Sequence, residues 1–152
     1  MPPREVFLSH AHQDRAFASR LAAALARHAV PVWYSPSRIQ GAQQWHDEIG
    51  RALARCDWFV LVLSPAAVRS DWVKRELFYA LQRRRYQQRI VPLLHRRCNF
   101  ERLSWTLGGI QRVDFTGEFD AACRDLLRLW GLGYRKDGTA RTTGAPRRRR
   151  RG

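Results

Sequence analysis

One stretch, residues 58–79, constrains the fold of this chain more than any other. It opens with six consecutive apolar residues, WFVLVL, and Ser64 and Pro65 bring this run to an end. An apolar run without polar alternation, rich in β-branched and aromatic residues, is typical of a strand that is covered on both faces. Apolar residues then recur at helical spacing, which predicts a helix packed on the sheet; they are Val73, Leu77, Ala80 and Leu81.

The same alternation of strand and helix runs through the chain. Apolar runs predict five strands, at residues 5–9, 30–34, 58–63, 89–94 and 111–115, the fourth interrupted by Pro92. Helical periodicity predicts helices at residues 14–28, 45–55, 70–84 and 118–130, with Asp14 capping the first and Gly131 ending the last. Residues 95–110 are expected to be irregular, with a short helical turn near 100–103. This pattern predicts an α/β fold with a flavodoxin-like five-stranded parallel sheet, of order 2-1-3-4-5, and helices on both faces.

Length and charge predict one domain with a basic tail. The chain has 152 residues and a net charge of +15, and we expect a domain at 1–132 followed by a disordered, arginine-rich tail at 133–152. Residues 135–152 hold eight basic residues and one acid. Such a tail can bind nucleic acid without sequence preference, but a solvated tail is the simpler interpretation.

The chain carries no signal of export or membrane insertion. Its first residues lack the basic start and apolar stretch of a signal peptide, and no apolar run approaches the length of a membrane span. The three cysteines, Cys56, Cys98 and Cys123, are far apart and form no C-x-x-C motif. We therefore expect a cytoplasmic protein without membrane contact, disulfide or zinc site.

The strand order predicts where a ligand would bind. In such sheets ligands bind at the carboxyl ends of the strands, where the order reverses between strands 1 and 3. Here these ends carry Ser9 and His10 on one strand and Ser64 on the other. Trp72 and Glu76 lie four residues apart on the following helix, and we expect them to share a face outside the core-facing stripe.

Several chemistries have no motif in this chain. There is no G-x-G-x-x-G, no phosphate-binding G-x-x-x-x-G-K-[ST] loop and no G-x-S-x-G nucleophile elbow. Leu63 and Ser64 stand where a receiver domain would carry its phosphoacceptor aspartate. The histidines lack the i, i+4 spacing of a helical metal site. We therefore expect no metal site and no bound cofactor.

The Trp72 and Glu76 pair admits two interpretations. A carboxylate beside an aromatic face in a basic pocket suits a nucleoside or dinucleotide, whose ring stacks while the carboxylate contacts ribose. Such a carboxylate could also stabilise an oxocarbenium-like transition state or form a transient covalent bond. Alternatively, Glu76 pairs with an arginine or lysine on an exposed helix face and Trp72 covers the core. Residue types alone favour this second interpretation.

A resemblance to a known family favours the first. The segments VFLSHAHQD (6–14), VWYSPSRIQGAQQWHDEI (32–49), CDWFVLVLSPAAVRSDWVKREL (56–77) and IVPLL (90–94) resemble the TIR (Toll/interleukin-1 receptor) domain family, in particular its bacterial, NAD-cleaving members, over roughly residues 4–130. The family's W-x-x-x-E pattern matches Trp72 and Glu76, which implies that Glu76 is the catalytic carboxylate. The resemblance also implies a substrate pocket formed by Ser9, His10, Trp33, Tyr34, Ile39 and Trp72.

The resemblance further implies a self-association loop that borders this pocket. The family's BB loop corresponds to residues 35–44, with Ser35, Pro36, Ser37, Arg38 and Gly41 as its characteristic positions here. Many catalytic bacterial members begin this loop with acidic residues, where this chain has Ser35, Pro36 and Ser37. This departure puts the substrate contacts of the loop and the identity of the product in question.

The function implied is that of an NAD⁺ nucleosidase, which releases nicotinamide and ADP-ribose or a cyclic isomer, in signalling or anti-phage defence. Its implied partners are NAD⁺, other TIR domains or further copies of itself on activation, and a separate sensor protein. The alternative is a non-catalytic TIR module that recruits other TIR domains through the BB loop. A third hypothesis, nucleic-acid association, rests on the arginine tail alone.

Overall fold

The computed structural model describes residues 2–34 and 42–136, of which 42–45 by their backbone alone. A parallel sheet of five strands forms its centre, in the order β2-β1-β3-β4-β5, as the sequence predicts. The strands are β1 Val6–Ser9, β2 Val32–Tyr34, β3 Trp58–Leu63, β4 Ile90–Leu94 and β5 Val113–Asp114. The order reverses between β1 and β3, where Ser9 lies opposite Leu61.

Helices cover both faces of the sheet. They are α1 Arg15–Arg27, α2 Ala42–Arg55, α3 Pro65–Val68, α4 Asp71–Leu81 and α5 Phe119–Leu129, with 3₁₀ turns at His12–Asp14, Arg84–Tyr86, Phe100–Arg102 and Trp105–Gly109. One apolar cluster joins α1 and α5 to one face of the sheet, and a second joins α2, α3 and α4 to the other. All residues of β3 after Trp58 are buried, which confirms a strand covered on both faces.

Several predicted boundaries were wrong. The second helix begins at Ala42 rather than 45, and the second strand begins at Val32 rather than 30. The predicted helix at 70–84 ends at Leu81, and a separate short helix, α3, precedes it because the Ser64 hydroxyl accepts a hydrogen bond from the Ala67 backbone N–H at 3.0 Å.

Pro92 does not interrupt the fourth strand. It pairs in register with Leu61 of β3, while β5 pairs only with Leu93 and Leu94. Pro92 therefore lies outside the short β4–β5 ladder, where a missing N–H is tolerated.

Gly131 ends the last helix as predicted. Its φ of +72° is left-handed, its N–H donates to the Arg128 carbonyl, and the Leu132 N–H donates to the Leu127 carbonyl. These two bonds are the Schellman pattern, which favours glycine at this position.

The packed chain continues past residue 132, the predicted end of the domain. The Tyr134 ring stacks on His28 at 5.3 Å, its hydroxyl donates to Asp120, and the Arg135 N–H donates to His28 Nε2 at 2.8 Å. Residues 137–152, most of the predicted tail, lie outside the described residues. Within the ranges that the structure describes, no helix combines the length and apolar character needed to cross a bilayer.

Candidate active site at the carboxyl ends of β1 and β3

Glu76 lies inside the protein and contacts the end of β1. Its side chain is 7% exposed, and the Ser9 hydroxyl donates a hydrogen bond to Glu76 Oε1 at 3.0 Å. Ser9 is the last residue of β1 and is 1% exposed. A helix residue and a strand-end residue, 67 positions apart, are thus joined where the sheet order reverses.

The expectation that Glu76 lies outside the core-facing stripe was wrong. The buried residues of α4 are Val73, Glu76, Leu77 and Ala80, so the carboxyl faces the sheet with the apolar stripe. The alternative of an exposed ion pair is also contradicted, because among the described residues no lysine or arginine lies within ion-pair distance of Glu76.

Burial changes the protonation of this carboxyl. Desolvation raises the pKa of Glu76 from 4.5 to about 8, and the hydrogen bond from Ser9 lowers it by a smaller amount. The carboxyl is therefore mostly neutral near pH 7. A strongly perturbed carboxyl at the carboxyl end of a strand is a characteristic of functional sites.

Trp72 lies one helical turn before Glu76. It is half-buried against the apolar cluster of α2 and α4, and the Arg75 guanidinium lies 5.5 Å from the centre of its ring. Its ring thus combines a packed part with a part that solvent reaches, next to the turn that carries Glu76.

His10 and Tyr34 lie together at the edge of this region. The His10 ring lies 6.1 Å from the Tyr34 ring, tilted by 56°. His10 Nδ1 is 2.8 Å from the Ala11 carbonyl oxygen, which assigns the proton to Nδ1. His10 Nε2 is buried and has no hydrogen-bond partner within the described part of the chain. It is therefore left as an acceptor.

Trp33 and Tyr34 point to opposite faces of the sheet, as consecutive strand residues do. Trp33 stacks on Phe7 at 5.0 Å and belongs to the face that holds Ser9 and Glu76, whereas Tyr34 packs with the α1 and α5 cluster. The structure therefore brings Ser9, Trp33, Trp72 and Glu76 to one face, with His10 and Tyr34 at the strand ends. The remaining predicted positions, Ile39 and the loop residues Ser35, Pro36, Ser37, Arg38 and Gly41, lie outside the described residues.

A second polar cluster, which the sequence did not predict, joins three strand ends beside this site. The Ser64 hydroxyl donates to Asp14 Oδ2, and Asp14 Oδ1 lies 4.0 Å from His95 Nε2. Ser64 and Asp14 are 1% and 6% exposed. His95 stacks on Phe17 at 4.0 Å, and its burial lowers its pKa while the charge of Asp14 opposes that change.

Asp14 occupies the N-cap position of α1 as predicted, but the expectation that its side chain caps the helix was wrong. Its side chain makes no cap hydrogen bond, because the carboxylate turns inward to the Ser64 hydroxyl. The sequence held one signal for this contact, since Asp14 and Ser64 each follow a strand whose carboxyl end faces the same edge. In the segments 2–34 and 42–136, no group of three or more histidine, cysteine or acidic residues could hold a metal ion.

The chain is similar to known proteins in both sequence and structure. A family model described as TIR domain matches residues 6–127. The NAD(+) hydrolase PdTIR of Paracoccus denitrificans (strain Pd 1222) is 26% identical over 133 residues, which cover 84% of this chain and 44% of that protein. The 2′ cyclic ADP-D-ribose synthase BtTIR of Bacteroides thetaiotaomicron is 26% identical over 94 residues, which cover 60% of this chain and 33% of that protein. The chain thus spans less than half the length of these curated relatives.

Two solved structures share the fold. The TIR domain of the Toll-related receptor TRR-2 from Hydra magnipapillata superimposes with a TM-score of 0.63 at 20% identity, covering 81% of this chain and 94% of that domain. The TIR domains of the activated Roq1 resistosome, which recognises the pathogen effector XopQ, superimpose with a TM-score of 0.67 at 16% identity, covering 83% of this chain and 98% of that one. At these identities the likeness concerns the fold alone.

Proposed function

The chain belongs to the TIR domain family, and from this membership we propose that it is an NAD⁺ nucleosidase with Glu76 as its catalytic carboxylate. The observation that carries the proposal is the buried pair of Glu76 and Ser9 at the reversal point of the sheet. The names of the two bacterial relatives, an NAD(+) hydrolase and a cyclic ADP-D-ribose synthase, support a substrate of this class.

The proposed reaction breaks the bond between the anomeric carbon of ribose and the nicotinamide nitrogen. The bonding electrons pass to the ring nitrogen, so that nicotinamide leaves as a neutral molecule, and positive charge develops on the ribose. The carboxylate of Glu76 stabilises this charge or bonds to the anomeric carbon until water attacks. Water yields ADP-ribose and a proton, whereas attack by a hydroxyl of the same molecule yields a cyclic isomer.

The protonation of Glu76 fits a role that begins on substrate binding. Its pKa is about 8, so the neutral form prevails near pH 7. The nicotinamide ring of NAD⁺ carries a positive charge, and such a charge beside the carboxyl favours the ionised form. Ser9 would hold the carboxylate in position, and the half-buried Trp72 would pack beside the substrate.

The proposed activity also implies a compartment and partners for the chain. The described cysteines are free thiols, which agrees with a reducing cytoplasm where NAD⁺ is present. We expect activation by assembly with other TIR domains or with further copies, through the loop at residues 35–44, under the control of a separate sensor protein. A role in signalling or anti-phage defence follows by analogy with the family, and nucleic-acid binding by the arginine tail remains a separate hypothesis.

One observation favours the second candidate, a non-catalytic TIR interaction module. Phe78 is 65% exposed and Trp105 is 83% exposed, and large exposed hydrophobic side chains are typical of protein-binding surfaces. A module of this kind would need the fold and these surfaces, but it would not need the buried pair of Glu76 and Ser9.

The test is NAD⁺ consumption by the purified chain, at high protein concentration and with a crowding agent that favours assembly. Glu76→Gln keeps the size of the side chain and removes its ability to ionise. Glu101→Gln makes the same chemical change on an exposed residue and serves as the matched control. Chromatography separates nicotinamide, ADP-ribose and cyclic products.

We expect the wild type and Glu101→Gln to release nicotinamide, and Glu76→Gln to release about a thousandfold less or none, as for loss of a principal transition-state contact. Equal turnover by Glu76→Gln would refute the catalytic assignment. No release from the wild type under any assembly condition would favour the interaction module.

A further inference from the structure

A groove with an apolar floor lies at the opposite edge of the sheet from Ser9. It has a volume of about 640 Å³, and its lining includes the first residues of β3 and β4, Trp58 and Ile90. We call five of its apolar lining residues the apolar floor; they are Trp58, Leu81, Ile90, Ile110 and Leu129. This volume lies within the range of ordinary small-molecule sites. Ser9 and Glu76 are not part of its lining, so a ligand there is independent of the proposed NAD⁺ cleavage.

Positive charge is concentrated at one end of this groove. A second depression, lined by Arg84, Arg85, Gln87, Gln88 and Arg89, adjoins it and shares Arg84, Gln87 and Gln88 with the groove. Arg83 also lines the groove, and all four arginines are exposed. None of them lies within 4 Å of a carboxylate oxygen of any described residue. Four guanidinium groups within seven positions, with no carboxylate partner among the described residues, repel one another, and an anion would relieve that repulsion.

Tyr86 anchors the arginine segment, and contacts position two of its four guanidinium groups, those of Arg83 and Arg85, before any ligand arrives. The Tyr86 side chain is buried, and its hydroxyl donates to the Leu53 carbonyl at 2.5 Å. The Arg85 guanidinium donates to the Arg55 carbonyl at 3.2 Å, and the Arg83 guanidinium lies 4.3 Å from the centre of the Tyr79 ring. Preorganised donors lose less entropy on binding than mobile ones.

These features define the chemistry of the ligand. Guanidinium groups donate paired hydrogen bonds that match phosphate oxygens. The glutamine amides along the rim, Gln82, Gln87, Gln88 and Gln111, offer donors and acceptors to a heterocycle, and the apolar floor accepts its faces. An acidic helix would carry its charge along its length, whereas here the charge lies at one end and the apolar surface at the other.

We propose that this groove is a second ligand site, which binds a nucleotide with its phosphates on Arg84, Arg85 and Arg89 and its base on the apolar floor. The ligand is either a free nucleotide or one unit of a nucleic-acid strand, since both offer a base joined to phosphate. The site lies apart from the arginine tail, which the sequence alone singled out.

The experiment measures binding of three probes to the full chain at constant salt: ATP, inorganic tripolyphosphate and a ten-residue oligothymidylate. Arg84→Glu/Arg89→Glu reverses charge in the depression. Arg27→Glu/Arg51→Glu makes the same change in net charge at exposed positions of α1 and α2, and it serves as the control. Leu129→Gln makes the apolar floor polar at a residue that is 45% exposed, where folding tolerates the change.

We expect Arg84→Glu/Arg89→Glu to weaken ATP or oligonucleotide binding about a hundredfold, and the control pair to weaken it less than about threefold. Leu129→Gln should weaken the base-containing probes about fivefold and leave tripolyphosphate binding unchanged. Binding of ATP identifies a free nucleotide as the ligand, and binding of the oligonucleotide alone identifies a strand.

Three outcomes overturn the proposal. Equal losses in both charge-reversed pairs would mean that net charge alone attracts the probes. Tripolyphosphate binding as tight as that of ATP, together with ATP binding that Leu129→Gln leaves unchanged, would reduce the site to a phosphate-binding patch without a base. A polyglutamate peptide that displaces every probe at lower concentration would assign the groove to an acidic protein segment instead.

Discussion

Replacing Glu76 by glutamine should make the folded protein more stable at neutral and alkaline pH. The folded pKa of Glu76 is about 8, raised from 4.5 by burial. Below pH 4.5 the carboxyl is protonated in both the folded and the unfolded chain, and it then contributes no pH dependence. Between 4.5 and 8 the unfolded chain ionises first, so the free energy of unfolding falls as pH rises.

The magnitude follows from the size of the shift. At 1.36 kcal/mol for each pKa unit, the loss amounts to about 3 kcal/mol at pH 7 and about 5 kcal/mol above pH 8. Glutamine keeps the shape and does not ionise, so the variant should escape this loss. For a chain of this length, 3 kcal/mol corresponds to a rise of about 6–12 °C in Tm.

The assay is urea unfolding at several pH values from 4.5 to 8.5, for the wild type, Glu76→Gln and Glu101→Gln. The difference between wild type and Glu76→Gln should be small at pH 4.5 and should grow with pH, while Glu101→Gln follows the wild type. Parallel pH curves for all three proteins would refute the argument, because they would mean that the carboxyl titrates in the folded protein as it does in water.

Four other substitutions test the polar contacts at the strand ends and the end of the last helix. Ser9→Ala removes the hydroxyl that favours the ionised form of Glu76, so the rate of nicotinamide release should fall about fivefold. In a pH–rate profile, the pH of half-maximal rate should rise. Asp14→Asn should lower the free energy of unfolding by about 1–3 kcal/mol, and combining it with Ser64→Ala should add little, because both remove the same buried contact. Gly131→Ala meets no atom within 4 Å, so urea unfolding should show only the cost of alanine at a left-handed φ, about 1 kcal/mol; a loss near zero would contradict the assignment of that φ.

The strands were predictable because local sequence determines them. The run from Trp58 to Leu63 has no polar residue, and the structure places a strand at the same bounds. The order of the sheet was predictable because strands and helices alternate along the chain and because the most apolar strands lie at the centre of such a sheet. Helix ends were less predictable, as the start of α2 at Ala42 illustrates, since a helix can extend into polar residues that carry no periodic signal.

The position of Trp72 and Glu76 on one helix beside the strand ends was predictable, and the electrostatics of Glu76 were not. The spacing of Trp72 and Glu76 placed them on one side of a helix, but a glutamate within an apolar stripe is assigned to solvent by residue type. Its carboxyl contacts Ser9, which lies 67 positions away. Asp14 was misassigned for the same reason, because the hydroxyl that its carboxylate accepts belongs to Ser64, 50 positions away. Contacts of this kind depend on the tertiary fold and leave no local pattern.

The energetic cost of Glu76 is itself an argument about function. The buried carboxyl lowers the free energy of unfolding by about 3 kcal/mol at neutral pH. This cost is a large fraction of the stability of an ordinary domain. An uncharged residue of similar size would avoid that cost, and a domain that only recruits partners through its surface would lose nothing by the exchange. The hydrogen bond from Ser9 lowers the pKa of Glu76 by less than burial raises it. The contact with Ser9 therefore does not remove the energetic cost of burying this carboxyl. A buried, incompletely compensated carboxyl at the reversal point of the sheet therefore favours a catalytic role over a purely structural one.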